Sequence, residues 1–260
     1  MGDSVAEVIK TDNLEEIIKG DILDVITSRK SIRRYKPDPI PDELLFRVLE
    51  AGRWAPTGEN DQPWIFIVVT DPEKKKKIGE LGRIETGAFC TAEYGMGRLQ
   101  ARFAGIEDLE KRDRVMRMMY SGETSQISTN APVIIVVAGT VNALNTPYDL
   151  CAAIENMLLE AHSLGLGGVW VEGPVAPTRR KKIFKELMGM PTGMGEYTIQ
   201  AFIAIGWPLE QRKHPRPKKP LKELVFWEEF GNTERKGIHK KSLEEIVHWE
   251  AFGKKEREDK

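Results

Sequence analysis

The sequence predicts helices packed on both faces of one central sheet. Three observations carry that expectation. Apolar, β-branched runs of strand length recur at residues 64–70, 132–139, 168–172 and 198–205. Helical patterns, with apolar residues three and four apart, separate them. A chain of 260 residues, 40% of them apolar, can also bury one large core. Helices and strands alternating around one sheet give a three-layer α/β/α arrangement. The parallel or antiparallel sense of the strands is not readable from the pattern.

Each element has its own signal. Residues 13–29 read as helix, with a break at Gly20-Asp21, where Asp21 can cap a fresh helix bearing Ile22, Leu23, Val25 and Ile26. The next helix starts at Pro41-Asp42-Glu43, with proline in the first turn and acids near the positive end of the dipole. Leu44, Leu45, Val48, Leu49 and Ala51 form its apolar face, and it stops before Pro56. Residues 64–70 form a nearly continuous apolar run, which predicts a buried strand. Asp71-Pro72 then opens a short charged helix through Leu81. Residues 84–130 are less regular and contain two charged helical stretches, 94–103 and 107–120, carrying Met96, Met116, Met118 and Met119. A second buried strand (132–139), a strongly apolar helix (148–164), a third strand (168–172), a helix (177–188) and a fourth strand (198–205) complete the alternation.

Bulk properties exclude several classes of function. Net charge is −1, so no global field draws the chain to nucleic acid or to a membrane surface. The only cysteines are Cys90 and Cys151, and no metal-ligand spacing is present, so no metal site is expected. Residues 1–19 lack a secretory pattern, and no apolar run approaches the ~18 residues a membrane span needs, which predicts a cytoplasmic protein.

The C-terminal part carries an internal repeat. Residues 218–231 recur as 240–253, an offset of 22, with nine of 14 positions identical. Each copy predicts a short amphipathic helix, begun near Pro220 or Ser242 and ended by Gly231 or Gly253. The domain expectation is therefore a principal domain over 13–212 and a C-terminal arm over 213–260.

Five motifs carry the chemistry. Residues 29–35, Arg-Lys-Ser-Ile-Arg-Arg-Tyr, pack three arginines, a lysine and a serine hydroxyl into seven positions. That clustering suits a phosphate group, because arginine offers a planar fork of donors. Pro56-Thr57-Gly58-Glu59-Asn60-Asp61-Gln62-Pro63-Trp64 is a turn-rich run feeding a strand. The remaining three are Gly165 to Gly173, Ile205-Gly206-Trp207-Pro208, and the basic Arg216-Pro217-Lys218-Lys219-Pro220-Leu221. In this order and at these separations they resemble the FMN-dependent nitroreductase family.

The resemblance implies an α+β fold whose central sheet is mixed and largely antiparallel. It implies FMN as cofactor, NADH or NADPH as reductant and a homodimer with FMN at the interface. It places Arg29, Lys30, Ser31 and Arg33 on the phosphate and ribityl groups, with Arg33 nearest the N1/O2 edge, where positive charge stabilises reduced flavin. Asn60 and Gln62 match further polar contacts, and Pro56, Thr57 and Gly58 match a loop that reaches the flavin of the other subunit. Trp170 and Val171 lead to Glu172 and Gly173, whose backbone N–H groups match the donors at N5 and O4. Arg216 and Lys218 match basic phosphate ligands, although Lys240 and Lys241 precede the second repeat in the same way. No catalytic side chain is implied, since the flavin carries the chemistry. The expected cycle is ping-pong: hydride passes from NAD(P)H to flavin N5, and electrons then pass to a nitroaromatic, quinone or similar acceptor. No Gly-x-Gly-x-x-Gly follows a strand, so no separate Rossmann site for the nicotinamide is expected. The same superfamily contains dehalogenases and flavin-fragmenting oxidases, and a non-catalytic flavin-binding module is a third possibility. Glu93 with Tyr94 partly matches the zwitterion-binding set of the dehalogenase branch.

Overall fold

The computed structural model describes residues 21–123, 130–141, 145–172, 181–192, 196–209, 218–226 and 229–231. The chain divides into two compact units, Met1–Pro215 and Arg216–Lys260.

The first unit is built on a four-stranded sheet with the order β1-β2-β4-β3. Its strands are β1 (Trp64–Val69), β2 (Val133–Thr140), β3 (Gly167–Val171) and β4 (Tyr197–Gly206). All three pairings are antiparallel. A single parallel bridge, Ser31 to Gly168, lies outside the named strands.

Helices cover both faces. On one, α6 (Thr146–Ser163) and α2 (Asp42–Arg53) pack Leu150, Ile154, Met157, Leu44 and Val48 against Ile135, Val137, Ala201 and Ile203. On the other, Ile78 of α3 (Pro72–Gly95) and Phe184 of α7 (Lys181–Leu187) join Ile134, Val136 and Phe202. β2 is buried on both faces, which is why its sequence is an unbroken apolar run rather than an alternation. The fold is α+β, in three layers.

The differences from the sequence reading have physical causes. β1 is an edge strand, so most of its residues are only half-buried, and it ends at Val69. The helix expected to stop at Leu81 continues to Gly95, because Glu85 and Glu93 are buried on it and erase the amphipathic pattern. The next helices are α4 (Arg98–Phe103), entered through Gly97 at φ 73°, and α5 (Leu109–Tyr120), capped by Asp108, whose carboxylate accepts from Lys111 N. Pro41 is the residue before α2 rather than in its first turn. Of the N-terminal helical pattern, α1 (Ile22–Ser28) is described, and residues 13–20 lie outside the described residues.

In the second unit the first repeat copy forms a 3₁₀ turn at Leu221–Glu223 instead of an amphipathic α-helix. Phe226 and Phe230 pack at 4.7 Å between ring centroids, and Gly231 adopts φ 91°. The second copy lies outside the described residues. Among the described residues no helix is long and apolar enough to cross a membrane, no cluster of three metal-ligating side chains occurs, and both cysteines are free.

Candidate functional site

The basic motif leaves α1 and runs along the sheet edge. Ile32 N donates to Gly168 O at 3.0 Å, next to the Ser31–Gly168 bridge. Four residues on, the segment has switched partner: Lys36 N donates to Trp207 O at 2.8 Å, and Leu209 N donates to Arg34 O at 3.0 Å. Residues 31–36 thereby staple β3 to the end of β4. Tyr35 locks them down from below. Its buried hydroxyl reaches both Ile32 O and Ala204 O, the latter at 3.0 Å. Burial raises the phenol well above its ordinary value, with Arg33 pulling slightly the other way.

Close approach between segment and strand depends on a missing side chain. A Cβ on Gly167 would stand 2.7 Å from Ile32 Cβ. Only glycine lets the segment lie this near the strand.

Arg29 points the other way, onto α6. Its Nε lies 3.2 Å from Glu155 Oε1, but off the line of a hydrogen bond, so the buried Nε–H has no acceptor among the described residues. Trp170 Nε1 is a second buried donor without an acceptor among the described residues. Trp170 lies two residues beyond Gly168 and packs half-buried against the α6 face of the sheet. Buried donors are nearly always paired, so each marks an absent acceptor. FMN is rich in acceptors along its phosphate, ribityl chain and ring, and the donor set fits it.

β3 then leads away from the cations toward Glu172. From Gly168 to Glu172 is four residues, ~13 Å of strand. Glu172 is exposed and lies near Cys151 of α6. The Cys151 thiol is pushed up by burial first and by the Glu172 carboxylate second, while Gln200, donating to Sγ at 3.7 Å, opposes them.

The second motif sits elsewhere. A Cβ on Gly58 would lie 3.3 Å from Asn145 Nδ2, at the opposite end of α6. Arg29 touches that helix at Glu155, ten residues on, ~15 Å along the axis. This loop is strained: Glu59, Asn60 and Gln62 have φ of 53°, 61° and 45°. Such left-handed conformations cost ~1–2 kcal/mol for residues other than glycine, least for asparagine. Gln62 N donates to Thr57 Oγ1 at 3.3 Å and Gln62 Nε2 to Asn60 O at 3.3 Å, which holds the shape. Asp149 is buried nearby, and its carboxyl is raised by burial and then by Asp61.

The first unit therefore gathers Arg29, Lys30, Ser31, Arg33, Trp170, Val171 and Glu172 along one edge of the sheet. It does not bring Pro56, Thr57, Gly58, Asn60 and Gln62 to that edge. Lys218 is exposed in the second unit, and Gly173 and Arg216 lie outside the described residues. Glu93 is buried; its Oε1 accepts from Arg102 Nη2 at 3.4 Å, and its Oε2 has no hydrogen-bond partner among the described residues. The Tyr94 side chain lies outside the described residues. A cleft of 740 Å³ between α4 and α5, lined by Gln100, Leu109, Arg112 and Met116 among others, includes none of the expected site residues. Sequence reasoning missed Tyr35 as a lock, although it closes the first motif. It also missed His162, whose Nε2 lies 2.8 Å from Ser28 Oγ across 134 residues with no local signal.

Comparison with known proteins places the chain in a family. The Nitroreductase family model matches residues 26–207. An NADH dehydrogenase of Thermus thermophilus is 31% identical over 221 residues, covering 79% of this chain and 97% of the relative. An iodotyrosine deiodinase of Thermotoga neapolitana is 27% identical over 204 residues, covering 78% and 95%. A Desulfovibrio desulfuricans protein solved in complex with FMN superposes with a TM-score of 0.56 at 25% identity, covering 82% of this chain and 99% of that one.

Proposed function

The chain belongs to the nitroreductase family, and we propose that it is an FMN-dependent oxidoreductase using NADH or NADPH to reduce a nitroaromatic, a quinone or a similar small acceptor. The observation that carries the reading is the pair of buried donors, Arg29 Nε and Trp170 Nε1, beside the basic segment stapled to β3. When bound, FMN would supply the redox chemistry, accepting hydride at N5 and releasing electrons to the acceptor in a ping-pong cycle.

The residues divide the remaining work. Arg29, Lys30 and Ser31 hold the phosphate end. Arg33 supplies positive charge toward the N1/O2 edge. The Glu172 backbone N–H orients the ring end, and Trp170 borders the slot.

Pro56–Gln62 complete the site of a second copy, which makes the active species a homodimer. Support comes from the ~15 Å of α6 that separates this loop from Arg29 within one chain, and from its strained, preformed shape. α1 adds to this: Ile22, Leu23 and Ile26 are 72%, 59% and 47% exposed, an apolar face that needs cover.

Purified protein should be yellow and should release FMN on denaturation. NADH or NADPH should bleach the flavin band, and a quinone should restore it with turnover. Colourless protein that takes up no added FMN overturns the reading. Bound FMN that neither nicotinamide reduces leaves only a binding module.

A further inference from the structure

One titratable group stands beside the basic segment without a role in the reading above. His162 lies half-buried in the last turn of α6. Its Nε2 is 2.8 Å from Ser28 Oγ. The Ser28 hydroxyl is turned to Asp24 O, at 2.6 Å. If its one proton is donated there, Ser28 accepts from the ring and Nε2 carries the proton of the neutral imidazole. Nδ1 is then the atom that gains a proton.

The next residue, Arg29, reaches Glu155, seven positions before His162 and so on the same face of α6. The Ser28–Arg29 corner thus lies along that face, its hydroxyl on His162 and its guanidinium on Glu155. Among the described residues, nearby ionisable groups include Lys30 in the basic segment, Asp24 in α1, and Glu160 on α6, which Arg47 of α2 holds at 2.6 Å. Burial first, then Arg29 and Lys30, keep the imidazole below its ordinary value.

We propose that His162 is the proton-linked member of the phosphate site: a phosphomonoester dianion at the Arg29–Lys30–Ser31 cluster binds together with a proton on His162. The inference rests on the FMN reading. The dianion offsets the two cations that repel the proton, and the ring already sits at the negative end of the α6 dipole. By linkage, each unit by which phosphate raises the ring's pKa makes FMN binding about tenfold tighter below both values than above both.

The test uses the full chain and NMR titration of the His162 ring, assigned by the signal lost in His162→Gln. FMN should raise the titration midpoint, and riboflavin, which lacks the phosphate, should not. FMN affinity is measured in parallel by fluorescence titration from about pH 5.5 to 8.5, the range in which a histidine changes charge. His162→Gln retains an N–H donor but takes up no proton, so it should lose the gain in affinity toward acid pH that the wild type shows. The phosphate's own titration is common to both proteins and cancels. A midpoint unmoved by FMN, or moved equally by riboflavin, overturns the proposal while the FMN reading stands. Failure to bind FMN at any pH overturns both.

Discussion

Replacing Arg29 with alanine separates a cofactor role from a structural one. Two interactions are at stake. The first is the ion pair with Glu155, whose partners are 25% and 45% exposed and whose Nε approaches at 3.2 Å without hydrogen-bond alignment. Pairs in contact with solvent contribute ~0–1 kcal/mol. Removing an unpaired buried donor offsets part of that loss, so the flavin-free protein should melt within about 3 °C of the wild type. The second is a charge-assisted hydrogen bond to phosphate or ribityl, worth roughly 1.5–3 kcal/mol, or about ten- to a hundred-fold in Kd. Fluorescence titration with FMN reads the second, and calorimetry of the flavin-free protein reads the first. Glu155→Gln is the control: it removes the competing carboxylate and keeps the cation, so affinity should hold or rise. Unchanged FMN affinity in Arg29→Ala refutes the assignment, and a collapse in melting temperature makes Arg29 a structural residue.

Other substitutions test the scaffold. Gly167→Ala places a methyl 2.7 Å from Ile32 Cβ and should cost ~1–3 kcal/mol of stability while weakening FMN binding, because the basic segment must shift. Gly165→Ala is the contrast: φ is 77° with no atom within 4 Å, so it should cost ~1 kcal/mol by thermal melt and leave FMN affinity alone. Tyr35→Phe removes the hydroxyl's bonds to Ile32 O and Ala204 O and should lower stability by ~1–2 kcal/mol in urea titration. Sedimentation should show a dimer, and a monomer that keeps FMN and full turnover ends the two-copy site. Truncation after Gly237 should lower melting temperature or dimer affinity with FMN retained. Loss of FMN instead counts against this expectation.

The legible parts of this fold were those where one force dominates. β2, β4 and α6 are apolar enough that burial alone decides them, and the structure gives them within two residues of the sequence reading. α3 was misjudged because Glu85 and Glu93 are buried where an amphipathic pattern demands apolar residues, and Gly79, Gly82 and Gly87 resemble stop signals. The basic motif was recognisable from charge density, but its partner was not. Nothing near Ile32 announces that its amide pairs with Gly168, since that bond is made by topology. The Ser28–His162 contact was hidden for the same reason, and the 3₁₀ turn at Leu221–Glu223 shows that a periodic stripe of this length does not by itself make an α-helix.

The stapling of residues 31–36 to the sheet has a second consequence, for solubility. β3 is a terminal strand, and a bare terminal strand is a template on which another chain can add itself. Ser31 and Ile32 occupy part of that template, and the arginines beside them make the border charged and hostile to a neighbouring strand. Anything that peels the segment away uncovers unpaired backbone at the same moment that it dismantles the phosphate cluster. On the proposed reading, loss of cofactor and the onset of aggregation are therefore coupled through one stretch of chain.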